Sequence, residues 1–170
     1  MNNLILIGFM GSGKTSVGVK LAKALSYDFM DTDECIVKKY GQSIKEIFTV
    51  HGETYFRNLE TNFIKELTGK ISNTIISVGG GLPIQPGNGA LLHELGTVVY
   101  LSTSSETIRE RLQGDITRPL LIGQDGKNKL EELYTYREPI YRSNAQLIIT
   151  TDHKSIEEIV SNILDVWREQ

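Results

Sequence analysis

The chain reads as an α/β protein, a three-layer α/β/α sandwich around a five-stranded parallel sheet. Three observations predict it. Short, wholly apolar runs of strand length alternate with amphipathic stretches of helix length. That alternation implies right-handed crossovers and parallel strands with helices on both faces. The 170 residues suffice for one good core, and no repeat, low-complexity tract or linker divides them, so residues 1–170 are expected to form a single domain.

Each element has its own signal. Leu4-Ile5-Leu6-Ile7 is apolar throughout, as a strand buried on both faces must be. From about Lys14 to Leu25, Val17, Leu21, Ala24 and Leu25 recur at helical spacing. Phe29-Met30 is a short extended segment. Residues 34–69 read as two or three helices, punctuated by Gly41, Gly52 and Gly69, with a capping box at Ser43 and Glu46. Thr74 to Val78 is the next strand, ended by Gly79-Gly80-Gly81. A short helix is expected over Ala90–Leu95, a strand over Thr97–Leu101, and a helix capped by Thr103 and Glu106 that reaches about Leu112. Residues 114–128, which hold Gly114, Pro119, Gly123 and Gly126, read as a long loop. A helix over Lys129–Arg137 follows, then the strand Leu147–Ile149. Ser155 and Glu158 cap a closing helix with Ile156, Ile159, Val160, Ile163, Leu164 and Trp167 on one face.

Composition narrows the function. Eighteen Lys and Arg stand against 21 Asp and Glu, a net charge of −3. So mild an acidic balance argues against coating nucleic acid or an anionic membrane. No apolar run approaches the ~18–20 residues that cross a bilayer, and Leu4–Met10 lacks the basic flank of a leader. Cys35 is the only cysteine, which leaves no internal disulfide and no cysteine cluster for zinc. His51, His93 and His153 lie far apart in the sequence. A reducing compartment, the cytoplasm, is expected, and so is a monomer.

Ligands of such folds bind beyond the carboxyl ends of the strands. Directly after the first strand stand Gly8-Phe9-Met10-Gly11-Ser12-Gly13-Lys14-Thr15, the pattern G-x-x-x-x-G-K-[ST]. Such a loop turns backbone N–H groups toward phosphate oxygens, and the helix behind it adds its positive end. Lys14 would bridge the β- and γ-phosphates, and the Thr15 hydroxyl would ligate Mg²⁺. Asn128-Lys129-Leu130-Glu131 departs from the N-K-x-D element of guanine readers, so adenine is the expected base.

Three further stretches admit two readings each. Asp31-Thr32-Asp33 is either a helix cap or a pair of ligands, one carboxylate holding a magnesium-bound water and the other a substrate hydroxyl. Arg57 and Glu60, one turn apart, either pair on a solvated helix face or belong to a site. Gly79-Gly80-Gly81 is either a tight turn or bare backbone approached by a ligand.

The ordered set resembles the shikimate kinase family of P-loop kinases, whose fold is similar to that of nucleoside monophosphate kinases. The resemblance covers nearly the whole chain: the phosphate loop at 11–16, Asp-Thr-Asp at 31–33, Gly52-Glu53 with Phe56, Arg57 and Glu60, Val78 to Gly81, Thr117-Arg118-Pro119-Leu120-Leu121, and Arg137-Glu138-Pro139-Ile140-Tyr141-Arg142. It implies ATP-dependent phosphorylation of the 3-hydroxyl of shikimate in aromatic amino acid biosynthesis, with Mg²⁺ as cofactor. It implies that Gly11, Ser12, Gly13, Lys14, Thr15, Ser16, Arg111 and Arg118 bind ATP. Asp33, Arg57, Gly79, Gly80, Gly81 and Arg137 would bind shikimate, the two arginines holding its carboxylate. Thr15 would bind the metal directly and Asp31 through water. Lys14, Asp33 and Arg118 would carry the reaction. The helices of about 34–69 would be the substrate-binding region and residues of about 112–127 the lid. The nearest alternatives are a gluconate or nucleoside monophosphate kinase, which the pairing of Asp-Thr-Asp with three glycines disfavours. A non-catalytic nucleotide-binding regulator would be expected to lack Asp33 or Arg118.

Overall fold

Four consecutive apolar side chains suit a strand only where both faces of the sheet are covered, and β1 (Leu4–Ile7) lies in the middle of such a sheet. The computed structural model describes residues 2–113 and 124–168, with backbone alone for 124–127. Among them, β1, β2 (Asp28–Asp31), β3 (Thr74–Ser77), β4 (Thr97–Ser102) and β5 (Leu147–Thr150) form one sheet ordered β2-β3-β1-β4-β5. Every pairing is parallel.

Strand alternation sorts the core into two layers. Leu4 and Leu6 face α1 (Lys14–Leu25) and α8 (Ile156–Arg168), packing with Val17, Leu21, Ile159 and Ile163. Ile5 and Ile7 face the opposite layer, where Ile64, Leu92, Ile108 and Tyr141 close over them. These come from α4 (Glu53–Leu67), α5 (Asn88–Leu95), α6 (Ser105–Leu112) and α7 (Gln124–Asn144). The three-layer sandwich is therefore present. A third, smaller cluster of Ile36, Ile47, Phe56 and Leu59 joins α4 to α2 (Thr32–Tyr40) and α3 (Ile44–His51). The three-helix reading of the 34–69 stretch matches these elements.

Two of the three expected capping pairs hold. Ser43 Oγ accepts from Glu46 N at 3.2 Å, and Glu46 Oε2 accepts from Ser43 N at 2.7 Å. Ser155 and Glu158 make the same reciprocal pair.

Three expectations need correction. The cap of α6 is Ser104, whose Oγ accepts from Thr107 N, because Thr103 is buried with its hydroxyl against Thr151. The helix expected over Lys129–Arg137 runs from Gln124 to Asn144, straight through Pro139. Burial of Leu130 and Tyr141 against the sheet offsets the hydrogen bond that proline cannot make. The loop expected over 114–128 is shorter, since α7 begins at Gln124; of the stretch expected as a lid, about 112–127, Leu112 ends α6 and residues 114–123 lie outside the described residues. On α7, Tyr134 and Tyr141 pack inward, while Tyr136 is 62% exposed on its outer face.

Candidate functional site

The carboxyl ends of β1, β2 and β3 open onto one cavity of about 570 Å³. Gly11, Gly13, Lys14, Thr15, Ser16, Asp31, Asp33, Arg57, Gly79, Gly80, Gly81 and Arg137 all line it. Two predicted residues do not. Ser12 is buried beneath the loop, its N–H turned back to the Phe9 carbonyl. Arg111 donates to the carbonyls of Gly11 (3.1 Å) and Thr151 (3.3 Å), tying the phosphate loop to the start of the β5–α8 connection. Arg118 lies outside the described residues.

The phosphate side is built from backbone. Gly13 caps α1 at φ 93°, a left-handed conformation that suits glycine, and brings no side chain of its own to cap the first turn. An open helix N-terminus is an anion site. Lys14 Nζ donates to the carbonyls of Gly8 (2.9 Å) and Phe9 (3.1 Å), so the ammonium is held over the loop it follows.

Asp31 bears out the capping reading of its motif and has one oxygen to spare. Its Oδ1 accepts from Asp33 N (3.0 Å) and Glu34 N (3.4 Å), capping α2. Its Oδ2 accepts from Thr15 Oγ1 at 3.4 Å. A hydroxyl and a carboxylate side by side are hard oxygen donors, the set that Mg²⁺ prefers.

The opposite wall is charged. Arg57 Nη1 donates to Glu60 Oε2 at 2.8 Å, while Nε and Nη2 both donate to Glu53 Oε1 (3.2 and 2.9 Å). The guanidinium also lies over the rings of Phe56 and Phe48, 5.5 and 5.8 Å from their centroids. Burial opposes its charge, but Glu60 and Glu53 more than reverse this and keep it firmly protonated. Glu60 is wholly buried, and its Oε1 has no hydrogen-bond partner among the described residues. Burial pushes its carboxyl up to about 7 despite the guanidinium beside it.

The three glycines explain themselves here. None has a positive φ, so backbone freedom is not the reason for them. A Cβ on Gly79 would stand 2.7 Å from both Asp33 Oδ1 and Glu60 Oε1. One on Gly81 would overlap the Arg57 guanidinium, and one on Gly80 would crowd the Tyr141 hydroxyl at 3.2 Å. What approaches the bare backbone is the cavity's own set of charged and polar side chains. Arg57 and Arg137, distant in sequence, thereby meet across consecutive glycines.

A model of the shikimate kinase family matches residues 10–168. The chain belongs to the shikimate kinase family. It is 46% identical to the shikimate kinase of Geobacter sulfurreducens over 98% of this chain and 91% of that protein. It is 43% identical to that of Persephonella marina over 96% and 98%. The solved structure of shikimate kinase from Acinetobacter baumannii in complex with shikimate is 37% identical and superposes with a TM-score of 0.91, covering 99% of this chain and 94% of that one.

Against that family background, sequence reasoning missed what three residues do at the cavity: Glu60 in its wall, and Glu53 and Tyr141 behind residues that line it. Glu60 was visible as a partner for Arg57, but nothing local marks a glutamate as fully buried. Glu53 sits one turn before Arg57, a spacing that could have found it. Tyr141 sits one turn after Arg137 on α7 and reaches the glycines from behind.

Proposed function

We propose that this chain transfers the γ-phosphoryl group of ATP to the 3-hydroxyl of shikimate, giving shikimate 3-phosphate and ADP, a step of aromatic amino acid biosynthesis. One observation carries the reading. A single cavity gathers the N-terminus of α1 with Lys14, the Asp33 carboxylate, and the arginines Arg57 and Arg137.

The roles follow from chemistry. Backbone amides of Gly11 to Ser16 and the Lys14 ammonium cradle the phosphates. A planar guanidinium matches a planar carboxylate, so Arg57 and Arg137 hold the carboxylate of shikimate. Gly79, Gly80 and Gly81 present backbone to the ring. Asp33 orients the attacking hydroxyl. As the new O–P bond forms and the bond to the ADP oxygen breaks, the hydroxyl proton passes late to the Asp33 carboxylate. The transition state is loose, so positioning and charge stabilisation supply most of the rate.

Thr15 directly, and Asp31 through water, would hold Mg²⁺, which neutralises phosphate charge when bound. Arg118 would reach the phosphates from the lid, and Arg111 would lie near the adenine. Helices α2, α3 and α4 form the substrate-binding region of one domain. No helix among the described residues is long and apolar enough to cross a membrane. We place the enzyme in the cytoplasm, as a monomer, with ATP and shikimate as its partners and neither nucleic acid nor membrane.

The decisive experiment measures ADP release with Mg·ATP and shikimate, gluconate or AMP as acceptor. Turnover with shikimate alone is expected. Turnover with gluconate or AMP and none with shikimate would overturn the reading.

A further inference from the structure

The Tyr141 side chain is entirely buried and does not line the cavity. Its ring packs against Tyr100 at 5.5 Å between centroids. Its hydroxyl, however, points at the glycine wall and bonds the Gly80 carbonyl at 2.6 Å. Arg137, one helical turn earlier on α7, stands beside it: a Cβ on Gly80 would meet the Tyr141 hydroxyl at 3.2 Å and Arg137 Nη1 at 3.6 Å.

The polarity of the contact has only one solution. A carbonyl can only accept and a phenol has one proton, so Tyr141 donates to Gly80. The lone pairs of the phenol oxygen are left for the neighbouring guanidinium of Arg137, which can only donate. Burial pushes the phenol up to about 12, so the proton stays in place at any working pH.

The backbone carries the effect further. The peptide is planar and trans, so the Gly80 carbonyl and the Gly81 N–H point in opposite directions. Pinning the carbonyl to Tyr141 turns the Gly81 N–H away from it. Gly81 is also the residue that stands against the Arg57 guanidinium.

We propose that Tyr141 is a positioning residue for the acceptor substrate: its hydroxyl fixes Arg137 and the Gly80–Gly81 peptide as one unit, and so sets the geometry of the carboxylate clamp. The proposal rests on Arg137 and the glycines being the shikimate wall. Substituents that merely packed the core would have no reason to align an arginine with a peptide plane.

The test is Tyr141→Phe, which removes one oxygen and keeps the ring. Shikimate Kd without nucleotide, and shikimate KM, should both rise about ten-fold, as for loss of a hydrogen bond to a charged group. ATP KM should stay within two-fold, with the far-ultraviolet spectrum unchanged. The loss should vanish for an analogue whose carboxylate is replaced by hydroxymethyl. Tyr100→Phe, in the same buried pair, should lower Tm without moving shikimate KM. A Tyr141→Phe enzyme with unchanged shikimate Kd and KM, whatever its Tm, would overturn the proposal. Arg137→Ala separates the two levels. If it too leaves shikimate affinity intact, the substrate wall itself is misassigned. If it weakens shikimate while Tyr141→Phe does not, only the role of Tyr141 fails.

Discussion

Arg57 Nη1 stands 2.8 Å from Oε2 of Glu60, a carboxylate with no solvent exposure. The guanidinium favours the ionised acid and burial opposes it, and burial wins, lifting the carboxyl from 4.5 to about 7. The folded protein therefore binds this proton more tightly than the unfolded chain does. The stability linked to it is fully present below about pH 4.5 and is lost as pH rises through about 7. Its full size is roughly 3 kcal/mol. Unfolding free energies of wild type minus Glu60→Gln, measured by urea titration, should fall across that window and stay flat above it. A difference that rises with pH would mean the ion pair dominates.

Arg57→Lys keeps the charge and loses the fork. Lysine cannot meet Glu53, Glu60 and a substrate carboxylate in one plane. Shikimate KM should rise roughly 10- to 100-fold, the worth of a charge-assisted contact, while ATP KM holds. Equal losses for both substrates in steady-state kinetics would remove Arg57 from the carboxylate site.

Gly81→Ala tests the close approach directly. Its φ is ordinary, so an alanine strains nothing locally, and the atoms nearest the new methyl are those of the Arg57 guanidinium. Displacing that group should weaken shikimate about as much as Arg57→Lys does, with little change in Tm. Gly41→Ala should behave oppositely. Nothing crowds a Cβ there, but its φ of 68° makes the helix end less stable without touching the cavity. Calorimetry on both variants separates the cases, and an unchanged shikimate Kd in Gly81→Ala would count against the geometry.

Lys14→Ala removes the ammonium that reaches the Gly8 and Phe9 carbonyls. Turnover should drop by roughly 10²–10³-fold or more, the usual loss of a transition-state charge donor. Shikimate binding without nucleotide should persist. Near-normal ADP release would remove Lys14 from the phosphate site.

What could be read from sequence was what is local. β1 declares itself because all four side chains are apolar, and the phosphate loop because its spacing is contiguous. The capping boxes span three residues. Errors arose where distant residues decide. Thr103 yields the cap to Ser104 because Thr151, far along the chain, takes its hydroxyl. α7 passes through Pro139 because Tyr141 is buried on the far side of it. Asp-Thr-Asp looked like cap or ligand, and one carboxylate oxygen of Asp31 caps while the other meets Thr15. The three glycines were visible, but their cause was not: Asp33, Arg57, Glu60 and Tyr141 come from three different helices.

The strand order also dictates a timetable of assembly. β1 leaves the ribosome before any other strand, yet its neighbours are β3 and β4, made only with residues 74–102. Until then both edges of an all-apolar ribbon wait unpaired, a natural target for chaperones or for misassociation. Arg137 emerges later still. A growing chain acquires the loop at 8–15 long before Arg137, so nascent fragments can carry a nucleotide motif without the arginine that shares its cavity.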